Sequence, residues 1–277
     1  MGRQENVEIF EDTKKLCESN TRLKEVIKKC IENQKLILEN ERVDMPTARY
    51  EEDAKIVVSK KRTYEAASAY KGEKVCVLNF ASASNPGGGV VHGANAQEEC
   101  LCRCSTLFFN LDIKEMWNKF YAPHRAQKNP LHNDDIIYTP DVMVFKSDTA
   151  SPKLLAEKDW YEVNVITCAA PNLREKPSNS YNQGDGDERI NLSDVELLNL
   201  HEQRLRKILQ VASLNGNEVV VLGAFGCGAF KNPPKIVAQA AKNVIEEFSK
   251  HFKTIEFAVY CSPKDDSNYV MFKKYLT

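Results

Sequence analysis

Glu98 and Glu99 are adjacent carboxylates that follow Gln97, and seven residues separate this trio from a run of three glycines, Gly87-Gly88-Gly89. Carboxyl groups that give and take protons at a sugar carbon hydrolyse glycosides. Glycines accept positive φ and let main-chain N–H groups come close to phosphate oxygens. Together they point to a substrate that is at once a pyrophosphate and a glycoside. If the pair opens a helix, the two side chains point about 100° apart. They then cannot do the same work: one can grip a ribose hydroxyl while the other faces the scissile bond. A plainer reading is also open, because acidic residues in a first turn complement the helix dipole.

A second glycine-rich stretch runs Gly223-Ala224-Phe225-Gly226-Cys227-Gly228-Ala229-Phe230. Like the first, it lies between an apolar run and a helix. Either alone could be a tight turn. Two of them after buried strands can enclose a diphosphate, helped by a helix N-terminus. Neither has the Gly-x-Gly-x-x-Gly spacing of a dinucleotide-binding unit, and no Gly-x-x-x-x-Gly-Lys-Ser/Thr occurs, which argues against a dehydrogenase and a P-loop nucleotidase.

Other reactive side chains carry less. Cys100, Cys102 and Cys104 alternate on a helix, so Cys102 points away from the other two; they read as small core residues rather than zinc ligands. Cys227 has no neighbouring His and reads as a small loop residue rather than a nucleophile. His92 reads as an exposed loop residue, His201 as a packing or surface residue, and His124, His132 and His251 have no motif around them. Asp185-Gly186-Asp187-Glu188 lacks the further ligands of a calcium loop and reads as solvated.

The elements that must hold these residues alternate. The first ~45 residues repeat apolar side chains at helical spacing (Leu23, Val26, Ile27, Cys30, Ile31), and Met45-Pro46 ends the segment. Strands are expected at 55–59, 74–80, 136–138, 142–145, 162–169, 218–222 and 254–260. Helices are expected from Thr63 to Ala69, from about 94 to 108, at Asp194–Leu214, and from Pro233 to about 250 with Asn232 as cap. Residues 172–187 read as a polar loop. Near-continuous apolar strands between helices indicate an α/β fold with a mixed or mostly parallel sheet.

The composition is that of an ordinary globular chain, 42% apolar and 28% charged over 277 residues. A net charge of −1 gives no global field for generic nucleic-acid binding. No apolar run is long enough to span a bilayer, and the polar start lacks the core of a signal peptide. With nine cysteines, the expected setting is the reducing cytoplasm or nucleus.

Gly87–Gly89, seven residues, then Gln97-Glu98-Glu99 resembles the signature of poly(ADP-ribose) glycohydrolases. Leu78–Pro86, Thr139-Pro140-Asp141, Thr167–Asn172, His201-Glu202-Gln203-Arg204 and Gly223–Pro233 look like the smaller, microbial type, and the likeness runs from about residue 5 to 262. It implies a macrodomain: a mixed sheet sandwiched between helices, with an ADP-ribose cleft at the strand ends. Residues 1–50 would be an N-terminal helical extension and 51–277 the catalytic domain.

The resemblance makes Glu99 the catalytic residue, acid and then base in cleaving the ribose–ribose O-glycosidic bond, with Glu98 on ribose hydroxyls. Gly87, Gly88 and Gly89 would form the diphosphate loop, Asn85 would reach the distal ribose, and Gln97 would shape the catalytic loop. Gly226, Cys227, Gly228, Ala229 and Phe230 would form the second phosphate loop, with Phe230 against ribose or adenine. Asn79 would be structural, at a strand end. Neither metal nor cofactor is implied, and the short form is expected to act as a monomer from polymer ends, releasing ADP-ribose. The three cysteines depart from the small residues common after the Glu pair. Rival readings are a non-catalytic ADP-ribose reader of the same fold, and an enzyme that removes ADP-ribose from a protein or nucleic-acid acceptor. The intact Glu pair speaks against the first.

Overall fold

The computed structural model describes residues 2–179 and 183–277; the part of the expected polar loop at 180–182 lies outside the described residues. Seven strands form one sheet in the order β1-β4-β5-β3-β6-β7-β2. They are β1 Lys35–Ile37, β2 Lys55–Ser59, β3 Val75–Phe80, β4 Ile136–Val144, β5 Tyr161–Cys168, β6 Val219–Leu222 and β7 Thr254–Ala258. The five from β5 to β2 run parallel, while β4 is antiparallel to both β5 and β1. The α/β class and mixed sheet follow the expectation. Parallel strands covered on both faces must be apolar on both, hence Val75-Cys76-Val77-Leu78 and Val219-Val220-Val221-Leu222, all buried.

The helices are α1 Arg3–Ser19, α2 Thr21–Asn33, α3 Thr63–Ala67, α4 Gln97–Cys104, α5 Leu107–Leu111, α6 Lys114–Met116, α7 Ala122–Gln127, α8 Asp194–Leu214, α9 Pro234–Ile245 and α10 Ser267–Leu276. On one face of the sheet, Ile208, Ala238, Val244 and Phe272 pack on Leu78, Ile166 and Val220. On the other, Phe10, Tyr64, Leu101 and Leu107 pack on Val77, Val165 and Val221. Helix α8 starts where Ser193 and Glu196 cap each other reciprocally, and it has the bounds its amphipathic period predicts.

Four local expectations are corrected. Thr139-Pro140-Asp141 does not divide two strands: β4 runs through with a bulge between Thr139 and Val142, where Asp141 takes φ +57°. Asn232 does not cap α9; Pro233 precedes the helix and the Asn232 side chain turns inward. The edge strand β1 and the C-terminal α10 were not expected. Asp185 is not solvated: it is 1% exposed, 3.2 Å from His132 Nε2, and accepts a 2.8 Å bond from Asn172 Nδ2.

Chain order reverses beside β3, since β5 lies on one side of it and β6 on the other. A crevice for ligands opens at such a switch point, beyond the carboxyl ends of the strands. Both glycine loops leave there, after Phe80 and after Leu222.

Candidate active site

The first loop folds back on the helix that follows it. Gly87 and Gly88 take φ +67° and +59°, which side chains disfavour. A Cβ on Gly88 would lie 2.6 Å from Glu99 Oε1 and 3.0 Å from Glu98 Oε2. A Cβ on Gly89 would lie 2.9 Å from that of Ala94. Gly88 is therefore set by the carboxylates, Gly89 by Ala94, and Gly87 by Phe108, whose Cδ2 would lie 2.8 Å from its Cβ.

The two glutamates open α4 and diverge as helical geometry demands. Glu98, 3% exposed, accepts from Ser82 N at 2.8 Å and from Asn79 Nδ2 at 3.2 Å, so both its oxygens are held. Glu99, 7% exposed, accepts from Gly89 N at 2.9 Å through Oε1, while its buried Oε2 has no hydrogen-bond partner among the described residues. Burial, with the Glu99 carboxylate adding to it, pushes Glu98 up to about 8. Near neutral pH Glu98 therefore keeps its proton.

Gln97 fixes the start of α4. Its Oε1 accepts from Phe80 N at 2.9 Å, and its Nε2 donates to Leu78 O at 2.7 Å and Thr63 Oγ1 at 3.0 Å. Asn79 is buried under Glu98 and also donates to Thr167 Oγ1. Asn85 is half-buried at the loop's edge and accepts from the Arg125 guanidinium, which also donates to Ser84 O at 2.6 Å and lies 4.9 Å from the Trp117 ring. Tyr121 ends a π-helical turn, Trp117–Tyr121, and its buried hydroxyl has no partner among the described residues. Such turns recur at functional sites.

The second loop is stapled. Gly226 takes φ +76°, and a Cβ there would lie 2.5 Å from Asn232 Nδ2 and 2.7 Å from Ala170 Cβ. Asn232, 2% exposed, donates to Pro171 O at 2.7 Å and Gly226 O at 3.1 Å, and its Oδ1 accepts from His201 Nε2 at 2.8 Å. One carboxamide thus ties together the end of β5, the second loop and α8. Burial lowers His201 to about 4, so the imidazole is neutral and its Nε2 carries the hydrogen. Cys227 is half-buried, and burial raises its thiol, which does not suit a nucleophile. Gly228 and Ala229 are exposed, and a Cβ on Gly228 would meet nothing within 4 Å. The half-buried Phe230 ring lies 5.8 Å from His132, whose Nδ1 is 2.7 Å from Ala170 O.

The expected residues thus gather at two neighbouring strand ends. Cys100, Cys102 and Cys104 are buried, and His92 is exposed. Among the described residues no group of three or more His, Cys, Asp or Glu is arranged to hold a metal. Arg103, Arg125 and Asn232 support the loops but had no motif to mark them; a polar type on a helix or beside a proline reads as surface or cap.

A family model described as microbial-type PARG, catalytic domain, matches residues 3–147. The structure resembles that of poly(ADP-ribose) glycohydrolase (PARG) from Thermomonospora curvata, with TM-score 0.84 and 28% identity, covering 98% of this chain and 99% of that one. The same enzyme bound to the inhibitor ADP-HPD gives TM-score 0.79 and 28% identity over 97% and 98% of the two chains. The enzyme from Deinococcus radiodurans in complex with ADP-ribose gives 0.74 and 29% identity over 90% and 96%. No curated protein sequence is significantly similar to this chain.

Proposed function

This chain belongs to the microbial-type PARG catalytic-domain family, and from that membership we propose that it hydrolyses poly(ADP-ribose) at ribose–ribose O-glycosidic bonds, working from chain ends and releasing ADP-ribose. It is a glycoside hydrolase. The observation that carries the mechanism is the Glu99 carboxyl: one oxygen is fixed by Gly89 N–H and the other is buried without a partner among the described residues.

Glu99 donates its proton to the leaving ribose oxygen. The C–O bond breaks and the electron pair goes to that oxygen, leaving an oxocarbenium-like ribosyl cation. The ionised Glu99 then takes a proton from water as the water oxygen bonds to the anomeric carbon. Glu98 holds ribose hydroxyls. Gly87, Gly88 and Gly89 enclose the diphosphate on one side, and Gly226, Cys227, Gly228, Ala229 and Phe230 on the other. Asn85 reaches the distal ribose, and Gln97 acts by holding the first turn of α4. The chemistry calls for neither metal nor cofactor.

Residues 51–277 form the catalytic domain in this reading, and residues 1–50 an extension whose strand β1 pairs with β4. No helix of the described residues is long and apolar enough to cross a membrane. The nine cysteines are free thiols, which suits a reducing cytoplasm or nucleus. The substrate assignment is tested by giving the protein poly(ADP-ribose), singly modified protein and singly modified DNA. Release of ADP-ribose from polymer is expected; release from the singly modified acceptors alone would overturn it.

A further inference from the structure

Arg103 is 1% exposed, in the last turn of the helix that carries the two glutamates. Its Nη1 donates to Ala94 O at 2.6 Å, and its Nη2 donates to Asn95 Oδ1 at 2.6 Å and lies 3.3 Å from Cys100 Sγ. None of these partners is a carboxylate, and its buried Nε has no hydrogen-bond partner among the described residues. The buried Asp148 carboxylate offsets the charge through space, but a buried guanidinium whose hydrogen bonds all go to neutral acceptors still costs stability, and a packed apolar side chain would fill the same space without that cost. What the guanidinium holds is the return segment between the glycines and α4.

That segment leads straight to the reacting group. Ala94 N donates to Gly89 O at 3.1 Å, and Gly89 N donates to Glu99 Oε1 at 2.9 Å. The path runs from Arg103 through Ala94 and Gly89 to the Glu99 carboxyl. From behind, α1 closes on the same segment: Asn6 Nδ2 donates to Gly93 O at 3.1 Å, and Thr13 Oγ1 donates to Arg103 O at 2.6 Å. Gly93, at φ +72°, has room for no Cβ, which would lie 2.2 Å from Arg3 O.

We propose that Arg103 is a positioning residue for catalysis: its forked guanidinium sets residues 89–95, and through Gly89 N–H it aims the Glu99 carboxyl at the scissile bond. The proposal rests on the glycohydrolase reading above. Lysine cannot replace the fork, since an ammonium cannot present two parallel N–H groups to Ala94 O and Asn95 Oδ1.

The test is steady-state kinetics on poly(ADP-ribose), with thermal unfolding and ADP-ribose titration on the same preparations. Arg103→Lys should lower kcat about 10-fold and leave KM within about 2-fold, because a misaimed acid binds substrate but reacts slowly. Should the buried variant fail to fold, Asn95→Ala serves instead: Asn95 is exposed, and the change removes one acceptor of the fork. It should lower kcat several-fold, and Asn95→Asp, which keeps the acceptor, should restore it. An unchanged kcat per folded molecule in both Arg103→Lys and Asn95→Ala, or a rise in KM alone, overturns the positioning role. Glu99→Gln is run alongside: an active Glu99→Gln protein would instead overturn the reading on which the proposal rests.

Discussion

The two glycine loops leave adjacent parallel strands, face one crevice and look alike in sequence, yet they are built on opposite principles. The second is a satisfied structure. Asn232 uses both ends of its carboxamide on protein partners, and His201 behind it is neutral and hydrogen-bonded. The first packs two carboxyls against bare backbone, raises Glu98 to about 8, and leaves Glu99 Oε2, Asn79 Oδ1 and Tyr121 Oη buried without partners among the described residues. Buried polar atoms without partners cost stability and gather where chemistry is done. In the proposed function this difference fits a second loop that only binds and a first loop that binds the diphosphate and also carries the reacting carboxyl.

That division can be broken most sharply at Gly88. Gly88→Ala forces a positive φ on a side chain and drives its Cβ into Glu99; kcat should fall at least ~100-fold, the scale of losing a positioned acid. A kcat within a few fold of wild type would mean that the carboxylates do not need this backbone. Asn232→Ala attacks the staple and should lower unfolding stability by about 2 kcal/mol, from buried groups left unpaired, read by denaturant unfolding. The rate on bound substrate should change far less; a kcat loss as large as that of Gly88→Ala would erase the distinction between the loops.

Gly228 sharpens the comparison, since its substitution meets no protein atom. Gly228→Ala should keep the wild-type Tm and weaken ADP-ribose binding about 10-fold by calorimetry, because the added methyl stands where backbone must approach phosphate. Unchanged affinity would remove Gly228 from the diphosphate wall.

The smallest effect is a pair of opposed pH slopes. The native state keeps a proton on Glu98 that the unfolded chain loses, so this contribution to stability is full below about pH 4.5 and is lost as pH rises through about 8. His201 is lowered from 6.5 to about 4, so its contribution is full above pH 6.5 and is lost as pH falls through about 4. Urea unfolding across this range should show Glu98→Gln flattening the alkaline decline while leaving the acid decline in place. An unaltered alkaline slope would mean that Glu98 does not hold the proton.

Much of this was legible in the sequence, for particular reasons. Gly87 and Gly88 announce positive φ by residue type, the adjacent glutamates must diverge on any helix, and the amphipathic period of Asp194–Leu214 leaves little choice of bounds. The rest depends on contacts distant in sequence. The three residues of β1 are a strand because they pair with Ile136–Tyr138. Asn232 has the type and place of a helix cap, but its side chain is recruited by Pro171 and His201. Arg103 has the composition of a solvated helix face, and only the fold buries it. Asp185 reads as a polar loop until His132 and Asn172 are brought against it.

The central claim is that Glu99 performs the reaction and the rest of the crevice binds. Its most direct test is the rate of ADP-ribose release from poly(ADP-ribose) by Glu99→Gln, together with calorimetric titration of ADP-ribose into the same protein. We expect release at least ~100-fold slower than wild type with ADP-ribose affinity retained. Equal rates would contradict the account.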